Sequence, residues 1–228
     1  MHTLRRFDSA GFRYGLRLTV TEDQIHQLPE SVEFLCREFN PVRMQVEPVY
    51  QLGRGKDANS AETAAFINAY RAAKECAYHY GQELTSSGAR IDILTNHFCG
   101  VSQDSFCLSP DGNVSACYEA YAEDGAVSSV FFYGEPSTDG EGYAFDSVKL
   151  EHLRHQAVQH RPYCQGCFAL WHCAGDCYHK ALAANGPGEY SGSARCHITR
   201  ELIKDQILGQ IVHAGGVFWH EPLMEKVP

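Results

Sequence analysis

The chain has 228 residues, of which 44% are hydrophobic and 21% are charged, and its formal net charge at pH 7 is −9. This length fits one large domain or two small ones, and the apolar content suffices for a packed core, which argues against a disordered chain. The acidic balance argues against a general nucleic-acid surface, which needs a basic stripe. No apolar run approaches about 18 residues and no apolar segment follows Met1, so we expect a cytoplasmic protein without a membrane or nucleic-acid partner.

The first third of the chain alternates strand and helix signals. Apolar residues alternate over 16–20 and again over 42–46, as in half-buried strands, and a third short strand is predicted over 90–94. Between the strands, apolar residues recur at helical spacing over 32–39 and 66–77. The order strand, helix, strand, helix, strand is typical of a parallel α/β unit.

From Cys99 onward the sequence is rich in turns, Gly and Cys. The turn residues 109–113 predict a β-hairpin between the flanking apolar stretches. A further strand is predicted over 130–133 and a helix over 146–158. A final amphipathic helix is predicted over 198–211. These signals predict an α+β region after the parallel unit.

Ten cysteines need an explanation. A chain of this size without an export signal does not need disulfides to stabilise its core, so metal binding is the better interpretation. Thiolates are the soft ligands of iron–sulfur clusters, with four for each fully ligated [4Fe–4S] cube. Seven of the ten follow the order Cys-x12-Gly-x4-Cys, gap, Cys-x2-Cys-x5-Cys-x3-Cys, gap, Cys, at Cys99, Cys117, Cys164, Cys167, Cys173, Cys177 and Cys196.

This pattern resembles the seven-cysteine signature of the SPASM domain, the C-terminal extension of radical SAM enzymes that modify peptides and proteins, such as sulfatase maturases and RiPP maturases. The resemblance extends from Cys99 to about His213. It implies two auxiliary [4Fe–4S] clusters. The ligands that it implies are Cys99, Cys117 and Cys177 for auxiliary cluster I, and Cys164, Cys167, Cys173 and Cys196 for auxiliary cluster II.

With this assignment, auxiliary cluster I lacks a fourth ligand. Cys107 lies between Cys99 and Cys117, where some relatives have an additional cysteine, and we expect Cys107 to be the fourth ligand. The alternative is a bystander thiol, which would leave one iron open to a substrate.

The N-terminal third contains Leu16-Arg17-Leu18-Thr19-Val20 and Gln45-Val46-Glu47-Pro48, followed by Gly53-Arg54. These segments resemble the last strands of the partial (βα)6 barrel of radical SAM enzymes. The implied fold class is α/β, with the C-terminal strands and helices of a partial barrel over 1–95. A Cys-rich α+β SPASM domain with a β-hairpin follows over 96–228. Barrel active sites form near the C-terminal ends of strands, so Arg17, Glu47 and Arg54 are candidates for contacting SAM or a peptide. Ordinary salt bridges are the alternative role for these three residues.

The radical SAM signature Cys-x3-Cys-x2-Cys, whose three thiolates leave one iron free to bind SAM, does not occur in the 228 residues. Before Cys99 the chain has only Cys36 and Cys76, which lie on apolar helix faces and are expected in the core. We therefore expect a C-terminal fragment, a truncated gene product or one half of a split enzyme. SAM would bind only in the complete enzyme, formed with a separate N-terminal half.

Three functions remain open at this point. The first is the iron–sulfur portion of a radical SAM oxidoreductase or maturase that modifies a peptide or protein substrate and does not cleave SAM alone. The second is a non-catalytic iron–sulfur module that recognises a peptide or a partner chain. The third is a zinc protein with four thiolates per site, which is disfavoured because only one Cys-x2-Cys pair occurs.

Overall fold

The computed structural model describes residues 1–50, 62–123, 125–186 and 190–217. In these ranges the protein is mixed α/β, with one three-stranded parallel sheet and one four-stranded antiparallel sheet. The helices are α1 (His2–Ser9), α2 (Leu28–Glu38), α3 (Thr63–His79), α4 (Ser147–Arg154), α5 (Leu170–Cys173), α6 (Tyr178–Asn185) and α7 (Ala194–His213). The strands are β1 (Gly15–Val20), β2 (Arg43–Pro48), β3 (Leu84–Thr85), β4 (Cys107–Leu108), β5 (Val114–Ser115), β6 (Phe132–Pro136) and β7 (Tyr143–Phe145).

The parallel sheet has the order β1-β2-β3, which confirms the predicted strand and helix rhythm of the first third. Leu16 and Leu18 of β1 pack against the core and Val20 is buried, as the alternating pattern predicts. Strand β2 runs between the other two and is buried over most of its length because both of its edges are paired.

The third strand precedes the predicted range 90–94, so the predicted position is wrong. Strand β3 pairs with β2 directly after α3, where the Tyr70 hydroxyl donates a hydrogen bond of 3.1 Å to the carbonyl of Leu84. Residues 90–94 form a turn and irregular chain. Ile93 and Leu94, whose apolar side chains suggested a strand, are exposed. Packing against α3 therefore decides which short apolar segment joins the sheet.

The predicted hairpin is confirmed as β4 and β5, where Gly112 has a positive φ and the amide of Ser109 donates to the carbonyl of Asn113. The predicted strand is confirmed as β6, and β7, which was not predicted, pairs with it. The predicted helix over 146–158 ends early, as α4. The amide of Val158 donates to the carbonyl of Asn96 at 2.9 Å and so leaves the helical pattern.

The two parts of the chain share a core. Helices α2 and α3 and strand β2 form one cluster of buried side chains, to which α7 contributes Ile198, Leu202 and Ile203. A second cluster fills the space between the antiparallel sheet and α4, and Leu153 is fully buried there.

No helix in the described part of the chain combines the length and apolar character that a membrane crossing requires.

A buried network of charges joins β2, the loop before α6 and the start of α7. Arg195 donates two hydrogen bonds to the carboxylate of Asp176, one of them 2.7 Å from Nη2 to Oδ1, and its Nη1 lies 3.4 Å from Glu47 Oε2. The backbone amide of Ser87 donates to Glu47 Oε1 at 2.6 Å. The side chains of Arg195, Glu47 and Asp176 are only 10%, 2% and 5% exposed. Burial raises the pKa of the Asp176 carboxyl and lowers that of the Arg195 guanidinium, so each charge depends on the other.

Removing Arg195 tests how strongly this network holds the fold. We expect Arg195→Met to reduce the free energy of unfolding by about 3–5 kcal/mol, because it leaves two buried carboxylates without a cation. The matched control is Arg43→Met, since Arg43 also pairs with a glutamate, Glu83, but both side chains are more than half exposed. Its loss should cost about 1 kcal/mol or less. Urea unfolding of both variants measures the difference, and equal losses would contradict a special role of the buried network.

Candidate metal centres

Four of the seven patterned cysteines line one cavity of about 280 Å³, which we call the four-thiol cavity. Cys164 ends a short 3-10 helix, and Cys167 follows it across a tight turn in which the amide of Cys167 donates to the carbonyl of Cys164 at 3.2 Å. Gly166 in this turn has φ +76°, a conformation that favours glycine. Cys173 ends α5, and Cys196 lies in the first turn of α7. These are the four cysteines that the resemblance assigns to auxiliary cluster II.

The other three patterned cysteines, Cys99, Cys117 and Cys177, line a second cavity of about 300 Å³, which we call the three-thiol cavity. Cys117 lies two residues after the end of β5, and Cys177 comes directly before α6. The Sγ atom of Cys117 lies 3.5 Å from Nδ1 of the buried His179. This is the set that the resemblance assigns to auxiliary cluster I.

The loop between Cys173 and Cys177 connects two cysteines that line different cavities. Its three residues, Ala174, Gly175 and Asp176, all have positive φ angles, of 53°, 75° and 59°. The left-handed conformation costs roughly 1–2 kcal/mol for a residue with a Cβ atom. A buried hydrogen bond between Arg195 and Asp176 stabilises this strained loop. One short run of sequence can therefore serve both cavities.

Burial makes most of these thiols poor anions in the absence of a cation. It raises the pKa of Cys117 to about 11 and that of Cys177 to about 12. In the four-thiol cavity, burial likewise raises the pKa of Cys164 and Cys173. Metal ligation needs the thiolate, so a bound metal must supply the positive charge that stabilises it.

The described thiols do not form a compact site for a single metal ion. Over the ranges that the structure describes, no three side chains of His, Cys, Asp or Glu converge so as to hold one ion. Four thiolates around one zinc ion, at Zn–S distances of about 2.3 Å, all point at a common centre. The described thiols instead line cavities of about 280 Å³ and 300 Å³.

Cys107, the expected fourth ligand of auxiliary cluster I, is not among the residues that line the three-thiol cavity. It lies on β4, opposite Ser115 of β5. The Ser115 hydroxyl donates to the carbonyl of Cys117 and accepts from its amide. A role for Cys107 as a ligand stays a prediction.

The structure gives the three polar candidates different surroundings. Arg17 lines the three-thiol cavity together with Gln45 and Lys180. Glu47 instead belongs to the buried charge network, which corresponds to the alternative role of a salt bridge. Arg54 lies outside the described residues. Sequence reasoning missed Gln45 and Lys180, although Gln45 is the register partner of Arg17 and follows from the pairing of β1 with β2.

The two remaining cysteines lie away from both cavities. Cys36 is buried on α2 as part of the first core, and burial raises the pKa of its thiol, with the nearby Cys76 of α3 adding to the rise. The predicted core position is confirmed for Cys36, while Cys76 is half-buried.

Fold and cavities together define a mixed α/β protein with two separate sites of clustered thiols. Comparisons with family models, with curated proteins and with solved structures found no match to this chain.

The position of Cys107 leads to a direct test of the three-thiol cavity. The expectation that Cys107 is the fourth ligand predicts that anaerobically prepared Cys107→Ala loses iron from one cluster and keeps the other intact, whereas a bystander thiol would leave the iron content unchanged. Cys117→Ala is the matched comparison and should lose the iron of one cluster, about half of the total. Iron and sulfide analysis measures both variants. An equal loss in Cys107→Ala would identify Cys107 as the fourth ligand.

Proposed function

We propose that this chain is an iron–sulfur protein that binds two [4Fe–4S] clusters, one in each thiol cavity. The observation that carries the proposal is the division of the seven patterned cysteines. They separate into sets of four and three, and these sets are the ones that the sequence resemblance assigns to auxiliary clusters II and I. The resemblance rests on spacing alone, whereas the cavities depend on how distant segments pack. The grouping of the cysteines in the cavities therefore supports the proposal.

The chemistry of both cavities suits such clusters. Thiolates are the usual ligands of iron–sulfur clusters, and four of them complete the ligation of one [4Fe–4S] cube. The four-thiol cavity offers a full set. The three-thiol cavity offers three cysteines, which leaves the position of a fourth ligand to Cys107, to another side chain or to a substrate. A bound [4Fe–4S] cluster supplies one-electron redox chemistry.

We further propose that the two clusters are the auxiliary clusters of a radical SAM enzyme that modifies a peptide or protein. This proposal is supported by the SPASM-like spacing and by the parallel unit with which α7 shares a core. Arg17, Gln45 and Lys180 offer polar contacts to a substrate beside the three-thiol cavity. SAM would bind at a Cys-x3-Cys-x2-Cys loop, which does not occur among these 228 residues. The second candidate function is a non-catalytic iron–sulfur module, favoured by the missing Cys-x3-Cys-x2-Cys motif.

Metal analysis of the anaerobically purified protein tests the central proposal. We expect a brown protein with broad absorbance near roughly 400 nm and about eight irons per chain. Replacing both Cys164 and Cys167 by Ala should remove about half of the iron, because both line the four-thiol cavity and only two thiols then remain there. Cys76→Ala is the control, since Cys76 lies on α3 and should leave the iron content unchanged. A colourless protein with stoichiometric zinc would contradict the proposal.

Assays of SAM cleavage separate this chain from a complete enzyme. We expect the cluster-loaded 228-residue chain not to form 5′-deoxyadenosine from SAM and dithionite, because it has no Cys-x3-Cys-x2-Cys loop. Addition of a matching chain that carries this motif should start the cleavage. Chromatographic detection of 5′-deoxyadenosine gives the measurement, and multiple turnovers by the single chain would refute the assignment of its clusters as auxiliary.

A further inference from the structure

One arginine stands between the two thiol cavities. Arg161 is only 5% exposed, and its Nη1 donates to the carbonyl of Gly175, inside the loop that separates Cys173 from Cys177. Its Nε atom is buried and has no hydrogen-bond partner in the described part of the chain. A buried guanidinium with an unused donor is costly, which indicates that its charge has a purpose beyond the single backbone contact.

The aromatic rings around Arg161 connect it to both cavities. Its guanidinium carbon lies 5.4 Å from the centroid of the Tyr178 ring and 5.6 Å from that of Tyr190. Tyr178 is the residue after Cys177 of the three-thiol cavity. Tyr190 lines the four-thiol cavity, where its hydroxyl lies 2.7 Å from the Sγ atom of Cys196. The guanidinium is thus held between two rings, each next to a cysteine of a different cavity.

Arg161 contacts backbone that leads to a cysteine of each cavity. The carbonyl of Gly175, to which Arg161 donates, lies two residues from Cys173 of the four-thiol cavity and two residues from Cys177 of the three-thiol cavity. The backbone carbonyl of Arg161 also accepts a hydrogen bond of 3.0 Å from the amide of Cys164, in the four-thiol cavity. A positive charge that stabilises thiolates also stabilises added negative charge on the group that they bind.

We propose that Arg161 is a positioning residue that raises the reduction potentials of both clusters, an inference that rests on the proposed function. A guanidinium keeps its positive charge at neutral pH, and a charge in a site with little water acts more strongly than one at the surface. Reduction of either cluster adds one electron from an external donor, and no bond forms or breaks. The added negative charge is stabilised by Arg161 in both cavities, so one side chain sets two potentials.

Arg200 offers a matched control. Of the two cavities, Arg200 lines only the four-thiol cavity, and its Nε donates to the carbonyl of Cys196 at 3.1 Å. Arg200 is therefore an arginine beside one cavity, whereas Arg161 stands between two.

The test is a potentiometric titration with dithionite, followed by EPR, of the cluster-loaded full chain and its variants. Iron and sulfide are measured first. If the unmodified chain binds no cluster, the proposed function is wrong, and this outcome is distinguished from a failure of the role of Arg161. In Arg161→Met with full iron content, we expect both potentials to become more negative. We expect about a tenfold loss of reduced cluster at a fixed potential, which is ~59 mV for a one-electron couple. Arg161→Lys should shift less, and Arg200→Met should shift one cluster only.

Two results would overturn the proposal. The first result concerns Arg161→Met, or Arg161→Gln if the Met variant loses iron. If this variant has full iron content and neither reduction potential changes, or only one cluster shifts, the proposal is wrong. The second is a loss of iron from Arg161→Lys as well as from both uncharged variants, because Arg161 would then serve only to hold the loop around Gly175.

Discussion

The buried contact of Arg195 with Asp176 and Glu47 is the interaction on which the arrangement of both cavities depends. Arg195 directly precedes Cys196 of the four-thiol cavity, and Asp176 directly precedes Cys177 of the three-thiol cavity. Glu47 anchors the same charges to β2. Desolvation makes such a network costly unless every charge is paired, so it specifies one arrangement of the three segments more than it adds stability. The parallel unit is thereby fixed to a cysteine of each cavity.

A chain that serves two sites from one run of four cysteines must change direction within it. The left-handed residues 174–176 make this change. Arg161 holds Gly175 from one side, and Arg195 holds Asp176 from the other. A Cβ atom on Gly175 would meet the Arg161 guanidinium at 3.0 Å, so both the backbone angle and the packing favour glycine there. The loop, the two arginines and the two cavities form one connected unit.

Local signals in the sequence predicted the parallel unit, the β4–β5 hairpin and helix α7, because periodicity and turn residues are properties of neighbouring residues. The sets of cysteines were predicted from spacing by resemblance. What the sequence could not reveal depends on distant contacts. The third strand lies at 84–85 because Tyr70 of α3 fixes it, and β7 forms only by pairing with β6. The partners of Arg195 are 19 and 148 residues away along the chain, which no local pattern encodes.

Native mass spectrometry of the anaerobically prepared chain tests most directly whether each cavity holds a polynuclear cluster. It weighs the folded protein with its bound inorganic atoms, so iron with sulfide is distinguished from zinc without sulfide. Our account predicts a chain that carries two groups of four irons and four sulfides, and that loses one whole group when two cysteines of the same cavity are replaced by alanine. A chain that carries zinc ions alone, or iron without inorganic sulfide, would contradict it.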